Sequence, residues 1–478
     1  MNDVSRTYDV IVIGAGPAGE NVAERTRAAG LSTVILEQEL LGGECSFWAC
    51  EPSKALLRPV IARADARRIP GLSQAVQGPL DVPAVLEHRD TMSVHWMDDD
   101  QVDWLNSVSV DLIRGHGRLT GPKQVEVNTP DGDTVALTAG HAVVVATGTS
   151  AALPDLPGLD SVRPWTSREA TSAGSVPDRL VVVGGGVVAV EMATAWQALG
   201  SQVTLLVRSE EGLLPRMEPF AGELVAEGLS EEGVDVRIGA FVRSVSRDAA
   251  GDVRTEVSDG SEIVSDEILF AIGRTPRTEN LGLETIGLTP GEWLPVDDTC
   301  QVTTESGGWL YAVGDVNHRA LMTHQGKYQA RMAGAAIGAR AAGQPVDDTR
   351  WGDHATTADI EAVPQVIFTH PEVAAVGLTT REAERTGRRV KVVDYDMSRI
   401  AGAVQYAEGY RGQTRLLIDE DRDVVVGVTF VGPGVGELLY SATVAVVSEV
   451  PVRRLWHAVP AFPTISEVWL RLLETLRG

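Results

Sequence analysis

Tyr8-Asp9-Val10-Ile11-Val12-Ile13-Gly14-Ala15-Gly16-Pro17-Ala18-Gly19-Glu20 passes from a β-forming run through a glycine turn into a helix-forming stretch. Residues 8–13 predict a strand, 14–19 a turn and 20–29 a helix, and a second strand at 32–36 ends in Glu37. The plan recurs further along. Residues 179–183 predict a strand, Gly184-Gly185-Gly186-Val187-Val188-Ala189 a turn, 190–199 a helix, and 202–207 a strand ending in Arg208. Both are βαβ units of the dinucleotide-binding kind. In such a turn the first glycine permits the tight bend and the second lets the backbone approach a pyrophosphate. The third position must be small so that helix and strand can pack. The helix N-terminus then offers unpaired N–H groups and a partial positive charge. One glycine turn is a weak signal. Two of them, each in a strand–turn–helix context with a charged residue closing the next strand, are a strong one.

Just after the first unit comes Gly42-Gly43-Glu44-Cys45-Ser46-Phe47-Trp48-Ala49-Cys50-Glu51-Pro52-Ser53-Lys54, which holds two of the three cysteines in 478 residues. A disulfide closing so short a loop removes little unfolded-state entropy, so stability is a poor reason for it. On spacing alone two readings stand: a dithiol that opens and closes, or two buried cysteines on one helix face. A position directly downstream of a nucleotide turn favours the dithiol. Cys300, alone in Asp298-Thr299-Cys300-Gln301, reads as a small buried or strand-edge residue.

Composition narrows the class. The 44% hydrophobic and 22% charged fractions are those of an ordinary globular protein, and the length allows roughly three domains. Forty-one basic against 66 acidic residues give −25, which argues against nucleic acid or an anionic membrane as a partner. No apolar run reaches the ~18–20 residues needed to span a bilayer. The N-terminus leads straight into a strand, not a basic and apolar leader, so a cytoplasmic location is expected. Persistent structural disulfides are rare there, whereas redox-active pairs are common. The nine histidines have no metal-ligand spacing, and no metal is expected.

Further along, residues 142–146 predict a strand ending in Thr147-Gly148, 267–272 one ending in Gly273-Arg274-Thr275-Pro276, and 309–313 one ending in Gly314-Asp315. A helix is expected at about 324–337 and a polar loop at 347–359. Residues 365–368, 373–378, 414–418 and 424–431 alternate like antiparallel strands, followed by helical patterns at 436–449 and 465–476.

Taken together, the block from Cys45 to Lys54, both glycine turns, Ala271-x-Gly273-Arg274-x-Pro276, Gly314-Asp315 and Phe368-Thr369-His370-Pro371-Glu372 resemble the flavin-dependent pyridine nucleotide–disulfide oxidoreductases. The resemblance covers essentially the whole chain. It implies an α/β fold of two Rossmann-like dinucleotide-binding domains, one inserted in the other, and a C-terminal α+β dimerisation domain. The corresponding boundaries are 1–152 and 277–346 for the FAD domain, 153–276 for the NAD(P)H domain and 347–478 for the interface domain.

It further implies FAD on Gly14, Gly16, Pro17, Ala18 and Gly19, with Glu37 on the adenosine ribose. Gly43, Lys54, Thr147, Gly148, Arg274, Gly314, Asp315 and His324 complete the flavin side. The nicotinamide cofactor would lie on Gly184, Gly186, Val187, Val188, Ala189, Glu191, Arg208 and Gly273. An arginine at the end of the second strand accommodates a 2′-phosphate where a carboxylate would bind the 2′-hydroxyl. Arg208 therefore favours NADPH over NADH, although Glu210 and Glu211 nearby would repel a phosphate. Lys54 and Glu191 match a buried ion pair beside the flavin ring. Cys50 matches the flavin-side thiolate and Cys45 the sulfur that attacks the substrate, with Glu51 expected to point outward.

The pattern breaks at the C-terminus. The family's disulfide reductases carry a His-Pro there, then a glutamate that orients the histidine, and the histidine serves the partner subunit's dithiol as acid–base. Here the residues are Ala461-Phe462-Pro463-Thr464-Ile465-Ser466-Glu467. Glu467 is kept, but Phe462 carries no proton, and general acid–base help is worth roughly 10²–10⁴-fold. His457 is expected to be a surface or interface residue and not a substitute. Mercuric reductases have Phe-Pro at this point, but they need a further cysteine pair near the C-terminus, and no cysteine follows Cys300. Phe47 and Trp48 stand where small or polar residues are usual, as core packing or as an apolar face for a flat acceptor.

The sequence therefore points to a homodimeric FAD-dependent NAD(P)H oxidoreductase that uses Cys45–Cys50 to reduce a small-molecule disulfide or related acceptor. A diaphorase or quinone reductase working through flavin alone is the second reading, and a flavin-bearing redox sensor the third.

Overall fold

The computed structural model describes residues 6–305 and 307–478. These form two compact units. One comprises the chain up to Glu51, Thr91–Ser150 and Arg274–Ile360; the other comprises Pro52–Asp90, Ala151–Gly273 and Glu361–Gly478.

In the first unit the strand Arg6–Ile13 pairs in parallel with Thr33–Glu37 on one side and Thr134–Val145 on the other. Asp111–Arg114 and Leu310–Ala312 extend the parallel sheet, and Gln124–Asn128 with His116–Gly121 continue it antiparallel. Val10 to Ile13 are buried on both faces, as a continuous apolar run in a parallel sheet requires. The helix Pro17–Ala28 starts with proline, which needs no N–H in the first turn. The longer helix Thr323–Ala341 packs along it, and Gly334 and Gly338 admit that approach: a Cβ there would lie 2.5 and 2.8 Å from Arg25 and Ala29 side-chain atoms.

The second unit contains the repeat of this plan. Arg179–Val183 pairs in parallel with Gln202–Val207 and Glu267–Phe270, with Asp235–Ile238 beyond. The helix Val187–Leu199 contributes Val190, Met192, Ala193 and Trp196 to a core shared with Ile367, Val373 and Val431. Those three belong to an antiparallel sheet ordered Gln365–Ile367, Glu372–Gly377, Val424–Gly432, Gln413–Asp419, Val390–Asp396. The helices Leu439–Val447 and Val468–Arg477 pack on that sheet. The fold is thus mixed α/β, with parallel nucleotide-type sheets and a C-terminal antiparallel sheet, as expected.

Several expected limits shift. The helix expected at 324–337 extends to Thr323–Ala341, because Ala339 and Ala341 continue a good helix-forming run to a stop near Gly343. The strand expected at 267–272 ends at Phe270. The helix expected at 436–449 opens as a 3₁₀ turn, Gly436–Leu438, before Leu439–Val447.

Candidate functional site

Each glycine of the first turn has a different neighbour. Gly14 has φ +101, and a Cβ on it would sit 2.6 Å from the carbonyl oxygen of Ala146. A Cβ on Gly19 would sit 2.0 Å from the carbonyl oxygen of Gly14. Gly16 alone would meet nothing within 4 Å. Packing therefore requires the first and third glycines, while the second faces open space at the start of Pro17–Ala28. That is where a pyrophosphate would use the helix N-terminus. Glu37, 9% exposed, closes the next strand. Its Oε2 accepts from the Ala15 N–H at 2.7 Å and its Oε1 from the Glu39 N–H at 2.8 Å. Burial pushes its carboxyl above the usual range. Two backbone donors fix the carboxylate and leave acceptor capacity for ribose hydroxyls. Thr147 carries a buried Oγ1 with no partner among the described residues, an orphaned donor at the same strand ends. Open space at Gly16, a fixed Glu37 and the orphaned Thr147 fit a flavin dinucleotide.

Gly314-Asp315 is held from behind. Gln329 Oε1 accepts from the Gly314 N–H at 2.7 Å and from Asn317 Nδ2 at 2.8 Å, and Gln329 Nε2 donates to Asp359 at 2.9 Å. Asp315 Oδ2 accepts from Thr149 Oγ1 at 2.9 Å, and Arg274 Nε lies 3.9 Å from it. Burial raises the Asp315 carboxyl. Gln329 was not among the expected site residues. Only its i, i+4 spacing from Gln325, two amides on one helix face, marks it in the sequence.

Cys45 lies in the short helix Gly43–Phe47, and Cys50 is the first residue of Cys50–Arg67. Neither sulfur is in a disulfide. Four contacts fix their segment: Gly42 N–H on the Ala15 carbonyl, Leu41 N–H on Asp98, Arg277 Nη2 on Glu44 at 2.6 Å, and Trp96 Nε1 on the Phe47 carbonyl at 3.0 Å. The last comes from three successive residues at positive φ, Val94, His95 and Trp96. A hydrogen bond to Cys50 and then burial push the Cys45 thiol up. Glu51 is exposed, and its charge adds to the rise of the Cys45 thiol. Phe47 is fully buried and Trp48 only half-buried, so the two aromatics divide between packing and surface.

Thr323, which the sequence reading missed, contacts the pair. Its Oγ1 donates to Cys45 Sγ at 3.1 Å and lies 3.2 Å from Cys50 Sγ. The neighbouring His324 is exposed on the first turn of the same helix.

In the second unit the turn at 184–189 repeats the logic. A Cβ on Gly184 would sit 2.3 Å from the Ala271 carbonyl oxygen, whereas Gly186 would meet nothing within 4 Å. Ala189 is fully buried in the helix that Gly186 caps, with Val187 and Val188 in its first turn. Arg208 is exposed at the end of its strand. Glu211 is held by Arg381, with Nη1 at 2.8 Å and Nη2 at 3.3 Å.

Lys54 Nζ donates to Glu191 Oε2 at 2.7 Å, with side chains 37% and 4% exposed. Glu191 Oε1 accepts from the Phe368 N–H at 3.0 Å, and Lys54 lies over the Phe368 ring. A buried carboxylate thus receives one ammonium and one amide donor, which meets the cost of removing it from water. In the C-terminal part Phe462 is 74% exposed and His457 is exposed. Glu467 is buried, pairs with Arg471, and has a buried Oε2 with no partner among the described residues.

Two glycine cradles and a dithiol are the layout of a two-nucleotide redox protein. Residues 8–334 match the family described as pyridine nucleotide-disulphide oxidoreductase, and residues 363–472 match its dimerisation domain. The chain belongs to this family of flavoprotein oxidoreductases, which bind FAD and NAD(P)H, and it carries the family's Cys-x₄-Cys pair. It is 33% identical to a dihydrolipoyl dehydrogenase of Thermus scotoductus, over 98% of both chains. It is 29% identical to a mercuric reductase of Staphylococcus aureus, over 96% of this chain and 81% of that one. Among solved structures, LpdA from Mycobacterium tuberculosis superimposes with a TM-score of 0.82 at 26% identity, covering 98% of this chain and all of that one. The flavoprotein disulfide reductase RclA from Escherichia coli gives the same TM-score at 22% identity, covering 98% and 99%. Among the described residues no helix is long and apolar enough to cross a membrane.

Proposed function

We propose that the chain is a cytoplasmic homodimeric enzyme that oxidises NADPH and passes the electrons through Cys45–Cys50 to a small disulfide or related acceptor. The observation that carries this reading is the pair of cysteine sulfurs sharing one hydroxyl, in the unit that also holds the Gly14–Gly19 cradle, Glu37 and Asp315. FAD bound in that cradle would take two electrons from reduced nicotinamide and deliver them to the disulfide. Cys50, at a helix N-terminus, is suited to carry the thiolate, and Cys45 to attack the acceptor. Lys54 and Glu191 hold each other in place within their own unit. Gly43, Gly148, Arg274 and Gly314 shape the flavin side, and Gly273 the nicotinamide side.

The arginine–glutamate contact supports NADPH. Arg381 neutralises Glu211, which leaves the exposed Arg208 better able to meet a 2′-phosphate. Phe462 supports a second reading, reduction of a flat acceptor such as a quinone by flavin alone.

Reductive titration with NADPH, followed by thiol counting, separates the two. The proposal expects two additional thiols per chain after reduction and loss of disulfide reduction in Cys45→Ser. No additional thiols, with quinone reduction intact in Cys45→Ser, would favour the second reading.

A further inference from the structure

With Phe462 in place of a histidine, no side chain at that position can hold the proton or stabilise a thiolate. The geometry around the sulfurs shows what remains. Thr323 Oγ1 stands within hydrogen-bond reach of both, 3.1 Å from Cys45 Sγ and 3.2 Å from Cys50 Sγ. Its hydroxyl is not used as a helix cap, since Met322 is the N-cap residue and no side-chain cap bond is made. Thr323 is also the first residue of Thr323–Ala341, and Cys50 the first of Cys50–Arg67. The positive ends of two long helices therefore begin at the same three side chains.

We propose that Thr323 is a catalytic residue of the dithiol, whose hydroxyl donates its hydrogen bond to whichever sulfur is ionised. A hydroxyl has one proton to give, and two acceptors lie within its rotation. In the reduced pair one sulfur is a thiol and the other a thiolate. Proton exchange, Cys45–SH with Cys50–S⁻ giving Cys45–S⁻ with Cys50–SH, moves one proton and no electrons. Cys45 holds its proton firmly, through its hydrogen bond to Cys50 and its burial, so becoming a nucleophile depends on this exchange. The Thr323 hydroxyl turns from Cys50 to Cys45 as the charge moves, so neither thiolate is left without a donor. It supplies the stabilising half of a histidine's role and none of the acid.

The proposal rests on reading Cys45–Cys50 as a working dithiol, but its test does not require turnover. The full-length protein is reduced with dithiothreitol, and alkylation of each cysteine by iodoacetamide is followed across pH by peptide mass spectrometry. A hydrogen bond to a charged group is worth roughly tenfold or more in the ionisation equilibrium. Thr323→Val should therefore move the alkylation midpoint of the more reactive cysteine up by about one pH unit. Thr323→Ser, which keeps the hydroxyl, should stay near the wild-type profile. A Thr323→Val profile superimposable on wild type would overturn the proposal, as would equal shifts in Val and Ser. If the valine variant does not fold, Thr323→Ala is read against Thr323→Ser in the same way. Loss of disulfide turnover with an unchanged Thr323→Val profile counts against the hydroxyl. A shifted profile with no turnover in wild type counts against the function alone.

Discussion

Lys54 and Glu191 differ in what each leaves behind when the other is removed. Lys54 is 37% exposed and can turn its ammonium towards water, whereas Glu191 is 4% exposed and cannot. In Lys54→Met the carboxylate keeps only the Phe368 N–H at 3.0 Å. An uncompensated buried charge of this kind costs about 3–5 kcal/mol. In Glu191→Gln the amide oxygen can still accept from Phe368, and the half-exposed ammonium is rehydrated, so the loss is about 1 kcal/mol. The double variant Lys54→Met/Glu191→Gln has no charge to strand and recovers most of what Lys54→Met loses. Thermal unfolding of the four proteins, at equal flavin occupancy, measures all of this. Equal losses for the two single variants, or no recovery in the double variant, would refute the reasoning.

Gly16→Ala meets nothing within 4 Å, so it should fold with about wild-type stability yet retain less flavin, read as the flavin-to-protein absorbance ratio after gel filtration; Gly14→Ala, facing the Ala146 carbonyl at 2.6 Å, should lose stability instead. Burial lifts the Glu20 carboxyl from 4.5 to about 7, with Lys327 opposing the rise. Its stabilising contribution is therefore fully present below pH 4.5 and lost as pH rises through 7, a difference of about 3 kcal/mol. Glu20→Gln should accordingly raise the thermal midpoint at pH 8 and change it little at pH 4.5. Phe462→His restores an acid–base side chain at the position where the family's disulfide reductases use one. Disulfide reduction should rise at least tenfold, with a new limb near the histidine range in the pH–rate profile.

Much of the chain could be read because its signals are local. Each glycine turn is continuous with the strand and helix that give it meaning, and their packing differs only in the atoms that Gly14, Gly19 and Gly184 approach. The C-terminal strands alternate strongly enough to be located, apart from Val390–Asp396, whose mostly exposed residues lack an apolar face to announce it. The short strands Asp111–Arg114 and His116–Gly121 escaped because Asp-Leu-Ile-Arg and His-Gly-Arg-Leu-Thr-Gly are too short and too poor in β-branched and aromatic residues to show a period of two. Lys54 and Glu191 were paired only through family resemblance, since 137 positions separate them. Thr323 had no such guide. It lies 273 positions from Cys50, and a threonine opening a helix reads first as a cap.

These two kinds of residue limit the chemistry differently. The redox pair, its cradle and its ion pair follow the family plan, so the supply of electrons is specified by residues that the sequence announces. The supply of protons is not. Phe462 removes the expected donor, and Glu467 keeps a buried oxygen with nothing to orient among the described residues. Thr323 can stabilise a thiolate but cannot protonate a leaving group. An acceptor served by this site must then take its proton from solvent or have a leaving group that needs none, such as a thiol of low pKa. Disulfides of acidic thiols should therefore be reduced faster than those of ordinary alkyl thiols, and the ratio should fall in Phe462→His, where leaving-group basicity no longer limits the reaction.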